Sequence, residues 1–413
     1  MNLTEQEQRW LAGADGAAMQ LAMELVVASA RVAGVSNFVE VDFAHINSCH
    51  YSGQMSLDFA EFLLANDAML AVPTHTNASL IDCGSPSVRP EQKTPTEIEG
   101  ARRLMEIYEE LGCTPMWSCA PYQHDEGRPA FGQHIVGSES NAVSFFNSVL
   151  GARTNKYGDM LDISAALVGR VPLAGLHTDE GRVGTHVFRL VDLPDETLAD
   201  PTLPHVLGII LGRDAGTAIP VIDGLPAATE DELKAIAAAG ATAGSVEMFH
   251  VVGITPEAST LAEALGGVRA QTETRVDAAM LAETRSSLST GAGRLNAVCL
   301  GTPHFSVAEF CELVEALGGR RVHPDVTMLV TTSRAVAAEI TLRGWHDQLG
   351  DAGVQIVLDT CTYYTPRPAG VEGLVMTNSA KWAYYAPGIL DVDVAFGSLD
   401  DCVRSAIDGE VAR

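Results

Sequence analysis

The sequence is poor in positive charge. Its 413 residues hold 26 Lys and Arg against 53 Asp and Glu, a formal net charge of -27. Nucleic acid and anionic membranes are bound through a surplus of cations facing phosphate, so neither is expected as a partner. The acidic surplus reads as a solvated surface that aids solubility. Long apolar runs are missing as well. None reaches the roughly 18–20 residues of a membrane helix, and the amino terminus lacks the basic-then-apolar pattern of a secretory signal. A cytoplasmic protein is expected. Eight cysteines in the whole chain do not make a disulfide framework, and in a reducing compartment they stay thiols. No CxxC pair occurs, so zinc-ribbon and thioredoxin chemistry lose their usual support. Phosphate loops of the GxxxxGKS/T type, GxSxG elbows, HExxH helices and GxGxxG turns after a strand are absent too.

What is present is the material of an α/β protein: 46% hydrophobic residues and 38 glycines. The length exceeds one ordinary core, so two or three lobes are expected. Thr4 and Glu7 have capping-box spacing. Residues 17–32 read as a buried amphipathic helix, with Met19, Leu21, Met23, Leu25 and Val26 on its apolar positions. Further helices are expected over 57–66, 97–111, 140–150, 164–167, 230–239, 257–265, 272–288, 307–317 and 334–349. Strands are expected over 35–43, 69–72, 114–118, 185–191, 206–211, 246–252, 297–299, 326–331 and 355–358. Residues 84–95 read as a polar connection with three prolines, and 194–204 as an acidic, proline-rich loop. Alternation of strand and helix implies parallel sheet with crossover helices. The lobes are drawn at 1–118, 119–290 and 291–413, with interleaving allowed.

Three cysteines share a context. Cys119, Cys299 and Cys361 each follow an apolar run that ends in small, polar or turn-forming residues. Parallel α/β folds build their sites at strand ends, and the three thiolates are expected to converge on one iron-containing centre. The ordinary reading of a free cysteine is a small buried hydrophobe, and Cys113, Cys311 and Cys402 are read that way. Cys83 is left open, and Cys49 is noted beside His50. His50 and His304 lie in polar loops after strands and are candidates for proton transfer, with His75, His124 and His134 behind them. Asn141, Asn147, Arg153, Thr154 and Asn155 form a polar cluster around one helix and loop. It reads either as capping and solvation or as a carboxylate clamp built on the Arg153 fork. Ser52 and Thr76 join the substrate-binding candidates. Lys381 is either an exposed cation or an anion binder with a tunable pKa.

These blocks resemble the aconitase X family, in particular its large subunit. The resemblance rests on His50-Tyr51-Ser52-Gly53, Cys119-Ala120-Pro121-Tyr122, Glu139 to Val143 and Asn147 to Asn155. It continues through Phe249 to Ala258, Leu300 to Phe305, Asp359-Thr360-Cys361 and Thr377 to Lys381. It implies an aconitase-like α/β assembly with mostly parallel sheets around a central metal-site cleft. It also implies a hydro-lyase, a dehydratase of a small hydroxy acid. The family's centre is a 2Fe–2S cluster in some members and a mononuclear metal in others, and Cys119, Cys299 and Cys361 match the cluster-bearing pattern. The swivelling domain of aconitases is expected on a separate small subunit. Two substrates follow from the resemblance. The first is cis-3-hydroxy-L-proline, giving pyrroline-2-carboxylate; the alternative is 5-phosphomevalonate. In the expected chemistry Arg153, Asn155 and Lys381 hold the carboxylate, and His50 or His304 protonates the leaving hydroxyl. The reading of another class is a non-catalytic iron–sulfur sensor or carrier.

Overall fold

A computed structural model describes residues 1–83, 88–89 and 94–411. The first lobe contains α1 (Glu5–Leu11), α2 (Ala17–Val32), β1 (Phe38–Glu40), β2 (Ala44–Ile46), α3 (Gln54–Ala65) and β3 (Thr74–Thr76). It continues with α4 (Pro95–Glu110), β4 (Val136–Gly137), α5 (Ser140–Phe145), α6 (Leu161–Val168) and β5 (Arg170–Pro172). Strands β3, β2 and β4 make a parallel sheet in that order, while β1 and β5 pair antiparallel. This lobe draws strands from both sides of residue 118, so the first two expected segments interleave. The capping box expected at Thr4 and Glu7 is present, with Glu7 N donating to Thr4 Oγ1 at 3.2 Å.

The second lobe holds β6 (His186–Leu190), α7 (Asp195–Leu198), α8 (Leu203–Ala215), β7 (Pro220–Asp223) and α9 (Glu230–Gly244). After these come β8 (His250–Val251), α10 (Leu261–Ala264), β9 (Thr272–Val276) and α11 (Ala278–Ser287). The sheet order is β8-β7-β6-β9, all parallel. The third lobe holds β10 (Ala297–Phe305), α12 (Val307–Leu317), β11 (Thr327–Thr332), α13 (Arg334–Leu342), α14 (Trp345–Ala352) and β12 (Val354–Leu358). It ends with β13 (Leu374–Thr377), α15 (Ala380–Leu390), β14 (Asp393–Phe396) and α16 (Leu399–Asp408). Its five strands run parallel in the order β12-β11-β10-β13-β14.

Strand β10 shows how sequence alternation places the site. Val298 and Leu300 join the core of the third lobe. Ala297 and Cys299, one residue out of phase, join a different core, as the period of two requires. That second core is shared by all three lobes: Phe43, Cys119 and Phe146 meet Leu207, Ile236 and Phe249, and these meet Cys361, Ala380 and Trp382. The first lobe keeps a separate core under α2, α4 and α6. The candidate cysteines thus sit where the lobes join.

Several sequence expectations are corrected. Residues 206–211, expected as a buried strand, are the middle of α8. That helix is buried on nearly every side, so it has no polar face and no visible helical period. A Cβ at Gly208 would lie 2.6 Å from Ala239 Cβ and 2.7 Å from Ile236 O, so its glycine lets α8 lie directly on α9. Residues 272–276, expected as helix, form the edge strand β9, whose polar face is exposed. The strand expected at 69–72 forms instead at β3, where Thr74 pairs with Ala44. Only one bridge, His75 with Thr114, forms in the stretch expected as strand 114–118. The helix expected over 334–349 is two, broken at Gly344 with φ 74°. The polar connection expected at 84–95 lies mostly outside the described residues. No helix among the described residues is long and apolar enough to cross a membrane.

Candidate active site

Cys119 is presented by a held turn. Thr76 on β3 accepts from Trp117 N at 3.1 Å and donates to Thr114 O at 3.4 Å. Trp117 has φ 46°, an uncommon conformation for a bulky residue, two positions before Cys119. His304 comes from the end of β10. Pairing with β11 stops at Leu300 and resumes at Phe305. Gly301, at φ 87°, opens this gap, and a Cβ there would lie 2.2 Å from Thr331 O, so only glycine fits. Cys361 follows β12 behind Asp359, which Arg334 grips at 2.7 and 3.0 Å.

These segments bring two sulfurs and one imidazole together. The Sγ atoms of Cys119 and Cys361 and a ring nitrogen of His304 lie within 4.8 Å of one another, all buried. His304 N donates to Cys119 Sγ at 3.4 Å. The His304 ring is held at both nitrogens: Nε2 lies 3.1 Å from Thr360 O, and Nδ1 lies 3.2 Å from Ser118 Oγ. A carbonyl only accepts, so in the neutral ring Nε2 carries the proton and Nδ1 accepts from the serine. Burial pushes the Cys119 thiol up, but a hydrogen bond from Cys361 and the charges of His304 and Lys381 outweigh it and hold the thiol below its ordinary value. The bond to Cys119, together with burial, pushes Cys361 well up. Two soft sulfurs and an imidazole in one buried place suit iron.

Cys299 shares the inter-lobe core, but its sulfur is not one of the three grouped atoms. Burial pushes its thiol to about 12, against a hydrogen bond from Thr362 and the charge of Arg89. Cys113 and Cys402 are buried.

Next to the thiols lies a buried ion pair. Lys381, in the first turn of α15, donates to Glu139 at 2.8 Å, and its Nζ sits 5.9 Å from the Tyr363 ring centre. The same carboxylate accepts from Asn141 at 2.8 Å and Asn77 at 3.1 Å. Burial alone would raise Glu139; the Lys381 charge and these hydrogen bonds reverse it and hold the carboxyl at about 2. Burial pulls Lys381 down, but Glu139 together with Tyr363 and Cys119 outweighs it and raises the ammonium well above the usual lysine range. Asn141 also donates to Cys119 O at 3.0 Å and accepts from Tyr122 at 2.8 Å. One network therefore joins the cation to the cysteine backbone.

Glu139, Asn77 and Arg89 were given no role in the sequence reading. Glu139 carried a faint signal, an acid at the N-cap of α5 directly after β4. Arg89 donates to Pro366 O at 2.9 Å, Thr360 Oγ1 at 3.3 Å, Tyr364 O at 3.4 Å and Cys361 O. Burial lowers its guanidinium to about 10. No local pattern marks an arginine that binds carbonyls of a loop some 270 residues later.

The remaining candidates are spread out. His50 is half-buried, with Nδ1 3.3 Å from Ala78 O and its ring 4.8 Å from that of Tyr364. Ser52 is exposed at the start of α3. Asn147 bonds Thr154 O at 2.8 Å, Glu247 O at 3.0 Å and Thr154 N at 3.0 Å. Thr154 accepts from Gly137 N at 2.9 Å. Asn155 bonds Ala174 O at 3.0 Å and Leu176 N at 2.9 Å. Arg153 pairs with the exposed Asp179 and donates to His177 O at 3.3 Å. Where a carboxylate clamp was expected, these four side chains tie loop 151–155 to its neighbours. Among the described residues, none of these hydrogen bonds reaches the cysteine group. His75 and His124 are lowered by burial, and His134 bonds His177 at 2.9 Å.

Comparison with known proteins gives a consistent picture. The aconitase X first domain matches residues 1–180, the second domain 184–286 and the third domain 295–408. A cis-3-hydroxy-L-proline dehydratase of Pseudomonas aeruginosa is 42% identical over 409 residues, covering 98% of this chain and 69% of the relative. A phosphomevalonate dehydratase large subunit of Thermococcus kodakarensis is 32% identical, covering 93% of this chain and 95% of the relative. The crystal structure of Thermococcus kodakaraensis aconitase X in its holo-form superposes with a TM-score of 0.88 at 28% identity, covering 98% of this chain and all of that one.

Proposed function

The chain belongs to the aconitase X family, and from that premise we propose that it is a metal-dependent hydro-lyase that dehydrates cis-3-hydroxy-L-proline to pyrroline-2-carboxylate. The observation that carries the reading is the buried Lys381–Glu139 pair set against the Cys119–His304–Cys361 group. The proposed centre is a 2Fe–2S cluster, with mononuclear iron as the alternative. Cys119 and Cys361 are its ligands, and Cys299 or His304 is the third. When bound, such a centre supplies Lewis acidity at the departing hydroxyl.

The chain's own residues do the rest. An ammonium has three N–H groups, and Glu139 takes one. Lys381 offers the others to the substrate carboxylate by charge-assisted hydrogen bonds. Glu139, held by Asn77 and Asn141, fixes where that ammonium stands. His50, half-buried beside Tyr364, is the proposed proton donor to the leaving hydroxyl, with His304 as the alternative. Arg89 braces the loop of Cys361.

The substrate choice rests on cations. The basic groups near the thiols include Lys381, already paired with Glu139, Arg89, bonded to carbonyls and a hydroxyl, and Lys234, held by Asp231 and Glu309. A phosphate dianion calls for more unpaired positive charge than that. A small partner subunit carrying the swivelling domain is part of the proposal. It is supported by the large-subunit name of a relative matched over 95% of its length. A cytoplasmic setting, where the thiols stay reduced, is proposed with it. The test is turnover of cis-3-hydroxy-L-proline and of 5-phosphomevalonate by anaerobic protein with its small subunit supplied. Preference for the imino acid is expected; preference for the phosphate ester overturns the substrate assignment.

A further inference from the structure

The first turn of α9 grips both neighbouring lobes. Glu230 accepts from Arg128 at 2.8 and 2.9 Å, and Arg128 also donates to Tyr122 O at 2.9 Å, three residues past Cys119. Asp231 accepts from Ser306 Oγ at 2.7 Å, and Ser306 is the N-cap of α12. Lys234 is only 3% exposed. It donates to Asp231 at 2.8 Å and to Glu309, and it reaches His304 O at 3.5 Å. Gln123, on the Cys119 side, donates to the same carbonyl at 2.9 Å. The main chain of His304 is thus held from two lobes, while its ring is held by Ser118 and Thr360.

A buried lysine between two carboxylates leaves excess negative charge, and such groups add little net stability over an apolar filling. What the arrangement fixes is geometry. Lys234 itself is closed to water at 3% exposure, while its partners Glu309 and Asp231 are 18% and 30% exposed. We infer that Lys234 is a positioning residue: it struts α9 against the end of β10 and sets His304 in register with Cys119. Lys234 reaches the His304 carbonyl, which is not one of the three grouped ligand atoms. Its effect passes through the His304 carbonyl and the α12 cap.

The test uses the full chain with its small subunit. Lys234→Met leaves two part-buried carboxylates unpaired, so its neutral companion K234M/D231N/E309Q carries the measurement if the single variant does not fold. The neutral variant is expected to unfold near the wild-type temperature, since neutralising a whole buried ionic group costs little. Hydrogen exchange over residues 117–123 and 299–306 is expected to quicken by about tenfold, a local opening that leaves the core under α2 and α4 unchanged. The catalytic part of the inference rests on the dehydratase reading. There kcat is expected to fall by about 100-fold, the size of effect a misplaced group produces, while KM moves little. Lys234→Arg, which restores the cation, is expected to recover most of it. Wild-type exchange in both segments together with wild-type kcat in a folded neutral variant overturns the strut. Faster exchange in a protein that turns over no substrate at all leaves the strut standing and removes the dehydratase reading instead.

Discussion

Lys381 and Arg153 are the two cations the sequence offers as carboxylate holders, and the fold treats them differently. The Lys381 side chain is 4% exposed and pairs with a carboxylate that is 10% exposed, beside two thiols. The Arg153 side chain is 21% exposed and pairs with Asp179, which is 84% exposed, beside loop carbonyls. The first pair sits at the junction of three lobes in low dielectric; the second has one partner, Asp179, open to water. We propose that the dense polar block of 147–155 serves its loop, and that Lys381 serves the site. Burial and company separate the two.

The largest expected effects fall on the sulfurs. Cys119→Ser and Cys361→Ser should each abolish turnover, because each removes a donor from the buried group. Cys299→Ser sharpens the ligand question: loss of bound iron assigns it as a ligand, and retention assigns the third place to His304.

Breaking the buried pair comes next. Lys381→Met leaves Glu139 unpaired and should destabilise the protein by about 3 kcal/mol, read by urea unfolding. K381M/E139Q should recover most of that stability and none of the activity, which separates the two roles of the lysine.

The ion groups also differ in proton linkage. The Glu139 carboxyl is held below its ordinary 4.5, at about 2. Its contribution to stability is therefore full above 4.5 and is lost as pH falls toward 2. Glu309 is raised to about 7, so its contribution is full below 4.5 and is lost as pH rises through 7. Unfolding measured across pH should show Glu139→Gln flattening the acid limb and Glu309→Gln flattening the limb between 4.5 and 7.

The smallest effect is expected at Arg153→Ala. An exposed pair contributes about 0–1 kcal/mol, and turnover should stay within a few fold of wild type by steady-state kinetics. A loss comparable to that of Lys381→Met would erase the distinction drawn between the two cations.

Much of this was legible in sequence for a physical reason. Cys119, His304, Cys361 and Lys381 all lie in short polar stretches beside apolar runs, where a parallel α/β fold delivers side chains to its sites. The helix α1 was legible through its capping box at Thr4 and Glu7. What escaped was nonlocal. α8 hid because burial on every side erases its periodicity. Arg89 hid because its partners are backbone carbonyls far along the chain. Lys234 was not singled out in the sequence; only the packing of α9 against the end of β10 makes it a buried cation.

The central claim is that three lobes close around a metal-bearing thiol group. Its most direct test is iron and acid-labile sulfide analysis of protein purified anaerobically with its small subunit, run beside Cys119→Ser. The account predicts bound iron in the wild type and none in the variant, with matching sulfide if the centre is a cluster. Wild-type protein free of iron, or a variant that keeps its full complement, would contradict it.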